Sequence, residues 1–258
     1  MGLPVKIGLK LYSTNTSFIS EAKALQERGF FDYIELYIIP DSFVVTSSKW
    51  IDFDIKYIIH SPHSIHGMNL AQTRKREANQ RCFIETQRFA DALGADIIIV
   101  HGGNNGPFDE TISQLVMLND KRIALENKPK IGIHNEICVG WSPSEFHKAA
   151  EAGVLNGTVL DFGHAVCAAN SSGTDAMNIV RELMVYNPKV FHLSDGDSFS
   201  EKDVHYNLGK GDFRLAEFLS IVPDSGLLTI ETPRDPLKGF EDFINDINFL
   251  NELFREKK

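Results

Sequence analysis

The segment Ala95–His101, ADIIIVH, reads as a short buried strand that ends in a histidine. Successive β-branched residues are typical of a parallel strand covered on both faces, because a strand with one face in water would alternate apolar and polar side chains. The preceding residues 72–94 form a long amphipathic stretch that ends in glycine, which predicts a helix. A helix that leads into a fully buried strand is the repeating unit of a parallel α/β sheet.

The same unit recurs along the chain. The other strand-like runs are VKIGLKL (Val5–Leu11), YIELYII (Tyr33–Ile39), IKYIIH (Ile55–His60), RIALEN (Arg122–Asn127), GTVLDFGH (Gly157–His164), KVFHLSD (Lys189–Asp195) and GLLTIE (Gly226–Glu231). Eight strand–helix alternations without a linker predict an α/β fold, a single (β/α)8 TIM barrel formed as one domain by residues 1–258. A doubly wound open sheet is the competing architecture, but no GxGxxG follows the first strand to support its dinucleotide-binding form.

The helices between the strands are marked unequally. Ser142-Pro143-Ser144-Glu145 opens a helix with a capping-box pattern and a proline at the first helical position. Residues 240–254 place apolar side chains at helical spacing, which predicts an amphipathic last helix. The second helix, around Ser42–Lys49, has weak signals.

Composition narrows the classes of partner. The formal net charge of −9 argues against a non-specific nucleic-acid binder, because such affinity comes from lysine and arginine neutralising phosphates. No apolar run approaches the about 18 residues of a membrane span, and the N-terminal residues do not resemble a signal peptide. Cys82, Cys138 and Cys167 form no spacing motif, so we expect free thiols, a cytoplasmic protein, no membrane contact and no obligate protein partner.

Metal-competent side chains lie at the ends of most predicted strands. They are His60, His101, Glu126, Asp161 with His164, His192 with Asp195, and Glu231. In a TIM barrel these ends face one rim, where active sites are built. Each residue alone is more commonly a hydrogen-bonded structural group or a helix cap. Together, several buried acidic groups at one rim would be costly without compensation, and divalent cations would supply it.

A further cluster follows the seventh strand in DVHYNLGKG, residues 203–211. Asp203 and His205 lie two residues apart, so in an extended loop their side chains can point the same way. Imidazole and carboxylate together suit zinc or manganese. Read alone, the segment is a glycine-rich loop with a solvated Asp and His, but its position beside HLSD favours a metal site.

Seven stretches carry a resemblance to a known family. They are IIHSPHSIHGMNLA, IIIVHGG, IALENKP, VLDFGHA, FHLSDGD, DVHYNLGKG and LTIETP, in this order between Ile58 and Pro233. Through them the chain resembles the xylose isomerase-like barrel superfamily, which contains endonuclease IV, the sugar isomerases and the ketose epimerases. Within the superfamily, endonuclease IV looks like the template for the metal site.

That resemblance implies up to three zinc ions, with manganese as an alternative metal. The three implied ligand groups are His60, His101 and Glu126; Glu126, Asp161, His192 and Glu231; and His164, Asp203 and His205. Glu126 would bridge two ions, and Glu136 is the alternative for that role. A single-metal epimerase would need only the second group, with His164 touching the sugar.

The resemblance also implies roles for other residues. Glu126 and Glu231 would be catalytic, and we expect Asp195 to hold His192 in its ligating orientation. The expected substrate-binding residues are His63, Asn69, Asn127 and Lys210. DNA is a possible partner, but the recognition loops of endonuclease IV look absent, since IELYIIPDSF contains no arginine and His63 replaces the expected stacking tyrosine.

These observations support three functions. The leading prediction is a metal-dependent, endonuclease IV-like hydrolase that cleaves a phosphoester on a sugar-phosphate group. The alternative is a metal-dependent sugar or sugar-phosphate isomerase or epimerase, in which Glu126 and Glu231 flank an acidic C–H. The third is a carbohydrate-binding barrel without turnover.

Overall fold

A closed barrel of parallel strands forms the centre of the computed structural model, which describes residues 3–235 and 239–255. The strands are β1 Lys6–Tyr12, β2 Tyr33–Tyr37, β3 Lys56–His60, β4 Ile98–His101, β5 Ile123–Glu126, β6 Thr158–Asp161, β7 Val190–Leu193 and β8 Leu227–Ile230. They pair in chain order, and β8 pairs with β1 to close the sheet. The predicted (β/α)8 barrel is confirmed.

Helices occupy the connections between the strands. They are α1 Ile19–Glu27, α2 Phe43–Ile51, α3 Arg76–Ala92, α4 Phe108–Leu118, α5 Pro143–Glu151, α6 Phe162–Ser172, α7 Ala176–Met184, α8 Leu215–Leu219 and α9 Glu241–Arg255. The weakly marked α2 is held by tertiary contacts, since Trp50 is buried and its indole donates to the Ser13 carbonyl at 2.7 Å. The capping box at Ser142 and Glu145 is present. Within the described residues, no helix is both long and apolar enough to cross a bilayer.

The barrel interior consists of layers in which every second residue of a strand faces inward. A buried apolar layer contains Tyr33, Ile58, Ile99, Ala124, Val159 and Val190. Gly8 makes room for this layer, because a Cβ there would lie 2.4 Å from the Tyr33 ring. The inward-facing residues two positions further along these strands are polar, so the chain places an ionisable layer on an apolar base.

Candidate metal centre

The ionisable layer brings together the side chains predicted from the strand ends. Its members lie on seven of the strands or, for Glu231, directly after β8: Lys10, Glu35, His60, His101, Glu126, Asp161, His192 and Glu231. His164, Asp203 and His205 join it from α6 and the loop after β7. We call the nine predicted ligands together with Glu35 the donor cluster. Its convergence at the carboxyl ends of the strands is what the barrel topology requires.

The first ligand group lies between β3, β4 and β5. Nε2 of His60 and of His101 lie 3.2 and 2.8 Å from Oε2 of Glu126. Nδ1 of His60 lies 2.8 Å from the Ser61 carbonyl. An N–H donated there leaves Nε2 as a lone pair that faces Glu126, which is the tautomer a metal ligand needs.

Three of the four residues predicted for the second group, Glu126, Asp161 and His192, lie within reach of one ion, and Glu126 is shared with the first group. The fourth, Glu231, forms a separate triad with His192 and Glu35. Nδ1 of His192 lies 3.4 Å from Oε1 of Glu126, 3.8 Å from Oδ2 of Asp161 and 2.8 Å from Oε1 of Glu231. None of these contacts has the geometry of a hydrogen bond, so this buried nitrogen has no hydrogen-bond partner among the described residues. Glu126 therefore directs one oxygen toward each of two donor groups, as a bridging carboxylate would.

The third group consists of His164, Asp203 and His205. Oδ2 of Asp203 lies 3.3 Å from Nε2 of His164 and 2.7 Å from Nε2 of His205. The local sequence explains the position of His164, because Asp161 is the N-cap of α6 and accepts a hydrogen bond from the His164 amide at 2.7 Å. One residue pattern thus places Asp161 and His164 in adjacent groups.

Two members of the layer were missed by the sequence analysis, namely Glu35 and Lys10. Glu35 is fully buried on β2, and its Oε2 lies 2.9 Å from Nε2 of His192 and accepts a hydrogen bond from Thr229. Nζ of Lys10 lies 3.2 Å from Oε1 of Glu35 and also contacts Glu231. The sequence contained a signal for both. Each is a charged residue within an apolar strand, at a position where the alternation of side chains directs it into the barrel.

The expectation that Asp195 orients His192 was wrong. Both oxygens of Asp195 accept backbone N–H groups, from Gly196, Gly209, Gly211 and Phe213 at 2.9 to 3.1 Å. Asp195 therefore shapes the loop after β7, whereas Glu35 contacts His192. The group that contacts His192 is therefore a carboxylate from another strand, and not the one near it in the sequence.

The other predicted substrate-binding residues lie in different places. His63 and Asn69 line the cavity above the donor cluster, and the His63 ring stacks on His101 at 5.3 Å between centroids. Asn127 is buried and bonds through its side chain to the backbone N–H and carbonyl of Asp161, so it positions Asp161, whereas we expected it to contact a substrate. Lys210, also expected to contact a substrate, is exposed and does not line the cavity.

The alternative bridging residue, Glu136, lies away from the donor cluster. It belongs to an excursion after β5 in which Ile131 and Ile137 pair, and its Oε2 accepts the His134 amide at 2.8 Å. Its side chain lies at the edge of the cavity. The geometry therefore favours Glu126 for the shared position.

The charges of the donor cluster fit bound cations. Burial opposes ionisation of Glu126, but His101 and His192 outweigh it and hold the pKa of this carboxyl well below its usual value. Burial raises the pKa of Asp161 to about 6. Within the described residues, Lys10 is the only lysine or arginine that forms an ion pair with the cluster. The carboxylates therefore depend on imidazolium charge, which divalent cations would replace.

Above the donor cluster lies a cavity of about 790 Å³. Its floor is the donor cluster, and its walls include Tyr12, Tyr37 and the segment around His63. Sites for small molecules commonly measure about 300–1,000 Å³. The cavity is therefore of a size to hold one compact polar ligand.

Replacing Glu35 by glutamine should weaken metal binding by about 10- to 100-fold, the usual effect of losing a group that orients a metal-bound histidine. The amide keeps the volume but removes the anion that faces Nε2 of His192. Competition with a chromophoric chelator measures the affinity. Glu182→Gln on the exposed face of α7 is the matched control, and an unchanged affinity in folded Glu35→Gln protein would refute the role.

The fold and the donor cluster define the class of protein, a (β/α)8 barrel with a candidate metal centre at the carboxyl ends of its strands. The family model described as "Xylose isomerase-like TIM barrel" matches residues 23–253, so the chain belongs to this family. No curated protein matches the chain in sequence.

Solved structures with the same fold include proteins named for different reactions. A D-tagatose 3-epimerase-like protein superposes with a TM-score of 0.74 at 18% identity over 97% of each chain. Endonuclease IV from Thermus thermophilus has a TM-score of 0.69 at 19% identity, covering 96% of this chain and 99% of that chain. For 3-keto-D-glucoside 4-epimerase from E. coli the TM-score is 0.66 at 12% identity, covering 95% and 99%. These likenesses show the fold alone.

Proposed function

We propose that this chain is a metal-dependent hydrolase that cleaves a phosphoester on a sugar-phosphate group. The observation that carries the proposal is the third donor group, His164, Asp203 and His205, which lies beside the two groups that share Glu126. A single-metal isomerase has no need of a further complete set of ligands. Two or more adjacent cations suit in-line displacement at phosphorus, because both the attacking and the leaving oxygen need charge compensation.

Zinc is the metal that the donors favour. The cluster mixes imidazole nitrogens with carboxylate oxygens and contains no thiolate, a combination that suits zinc and, less specifically, manganese. When bound, such ions supply an activated water near neutral pH and charge compensation for phosphoryl oxygens. Glu126 would contribute to the binding of two of them, together with His60 and His101 for one ion and with Asp161 and His192 for the other.

The remaining residues orient the donors. Hydrogen bonds with the Asn127 side chain and with the His164 amide hold Asp161 in place. Glu35 holds the His192 ring. Lys10 contacts Glu231, so it holds this carboxylate toward the cavity and offsets part of its charge. The metal ligands below a substrate phosphoryl group would thus have their positions set before the substrate binds. Such preorganisation lowers the barrier of a reaction.

Isomerisation or epimerisation of a sugar is the second candidate. One observation favours it: Glu126 and Glu231 both line a cavity sized for a single sugar, so they could flank a carbon that bears an acidic proton. In that reaction Asp203 and His205 would contribute little, whereas in hydrolysis they hold an ion. The two proposals therefore differ in the role of the third group.

Metal content and hydrolysis of Asp203→Asn test the proposal. We expect wild-type protein to bind more than one zinc per chain and to cleave a small phosphodiester or abasic-site DNA. Because an ion contributes several kcal/mol to the transition state, Asp203→Asn should lose one ion and about 100-fold or more in rate. Elemental analysis and initial rates measure both quantities.

Asp197→Asn on the same loop is the control, since Asp197 is exposed and, among the described residues, its side chain accepts a hydrogen bond only from the Phe199 amide. Near one metal per chain with no phosphoester cleavage by wild-type protein would contradict the proposal. Exchange of deuterium from solvent into a ketose, unaffected by Asp203→Asn, would support the isomerase or epimerase alternative.

A further inference from the structure

The cavity wall outside the donor cluster is positively charged. Besides Lys10, which pairs with Glu35 and Glu231, its cationic side chains are Arg74, Lys75, Lys128 and Arg234. Within residues 3–235 and 239–255 none of these four forms an ion pair with a carboxylate. Glu136 is the acidic exception on this wall, and it already accepts a backbone N–H. In a chain with a net charge of −9, this local reversal is typical of a surface that attracts anions.

Two contacts of its guanidinium hold Arg234 in place. It follows β8, donates from Nη2 to the carbonyl of Lys10, and places its guanidinium 5.8 Å from the centroid of the Phe240 ring. Burial lowers the pKa of Arg234, but an arginine stays charged at neutral pH. By comparison, Arg74 is exposed and bonds only to Gln72 among its described partners.

No carboxylate neutralises Arg234 within the described part of the chain. Asp246 acts on it electrostatically, but the Asp246 oxygens already accept hydrogen bonds from Thr232, Asn207 and the Leu208 amide. A partly buried cation without a paired anion is costly unless a ligand completes its hydrogen bonds. Arg234 lines the cavity, and its guanidinium has no carboxylate partner among the described residues, so it points to an anionic ligand.

We propose that Arg234 binds a second phosphate of the substrate, so that the substrate is a compact sugar carrying two phosphates. This inference rests on the proposed function, in which the first phosphate lies at the donor cluster. Lys10 links the two positions, because its ammonium contacts Glu231 while its carbonyl anchors Arg234. The planar fork of arginine suits a phosphate dianion through paired hydrogen bonds.

A compact substrate fits the enclosure better than a duplex does. The cavity of about 790 Å³ is of small-molecule size. The four cations without a described carboxylate partner line one cavity from the segments after three strands: Arg74 and Lys75 after β3, Lys128 after β5 and Arg234 after β8. A duplex instead requires cations along its backbone. The net negative charge of the chain would repel a long polyanion outside the cavity.

Binding of non-hydrolysable ligands tests the subsite without turnover. The probes are phosphonate analogues of a pentose 5-phosphate and of a pentose 1,5-bisphosphate, titrated calorimetrically into the zinc-loaded full chain. Since a charged hydrogen-bonded pair changes affinity by about tenfold or more, wild-type protein should bind the bisphosphonate at least about tenfold more tightly than the monophosphonate. In Arg234→Gln that preference should fall below about threefold.

Arg81→Gln is the matched control, because Arg81 is exposed on α3 and pairs only weakly with Glu77 at 3.9 Å. It should keep the wild-type preference. Arg234→Lys, which keeps the charge without the fork, should retain part of the preference and covers the case in which Arg234→Gln fails to fold.

Equal binding of the two analogues by wild-type protein would overturn the subsite, and so would a full preference in folded Arg234→Gln. Tighter binding of an abasic-site duplex than of the bisphosphonate would overturn it in favour of a nucleic-acid substrate. A preference that depends on Arg234, in protein that hydrolyses no phosphoester, would support the subsite while refuting the proposed reaction.

Discussion

Substitution of Glu126 by glutamine is expected to reduce phosphoester hydrolysis by at least about 1,000-fold, equivalent to about 4 kcal/mol of transition-state stabilisation. Oε2 of Glu126 faces His60 and His101, and Oε1 faces His192, so both oxygens serve the donor cluster. An amide has no charge to share between two cations and would turn an N–H toward an imidazole. We therefore expect loss of zinc from both groups as well as loss of rate.

Single-turnover rates and zinc content of the same preparation measure this effect. Glu136→Gln is the informative partner, because Glu136 is the alternative candidate for the bridging position and lies on the cavity edge. We expect it to retain the wild-type zinc content. The assignment fails if Glu136→Gln loses zinc while Glu126→Gln keeps it.

Zinc should stabilise the folded protein by about 4 kcal/mol per ion when free zinc is about 1,000 times its dissociation constant. The buried carboxylates of Glu35, Glu126, Asp161 and Glu231 repel one another in the metal-free protein, with Lys10 as their described ion-pair cation. Bound cations remove that repulsion in the folded state. Zinc stabilises the unfolded chain much less, because the ligand residues are far apart there.

Urea unfolding with zinc and with a chelator measures the difference. The midpoint should rise with zinc while the slope with denaturant stays the same, since the surface exposed on unfolding does not change. Magnesium at the same concentration is the control, because it prefers oxygen ligands and should stabilise less. An identical midpoint in zinc and in chelator would mean that the donor cluster does not bind zinc in the folded state.

The sequence by itself determined the barrel and most of the donor cluster. Strands such as Ile98–His101 are apolar enough to be buried on both faces, and their repetition leaves few topologies other than a closed barrel. Once the strands are parallel and closed, their carboxyl ends must share a rim. Residues such as His60 and Glu231 could therefore be grouped although 171 positions separate them in the chain.

Only the tertiary structure decided which polar groups support that cluster. Glu35 and Lys10 meet His192 and Glu231 because the barrel places β1, β2, β7 and β8 around one interior, a relation that no spacing in the chain encodes. Asp195 and Asn127 stand near ligands in sequence, yet hydrogen bonds direct them to backbone groups. Local pattern sets which face of a strand a residue occupies, whereas the closure of the barrel sets which side chains meet across it.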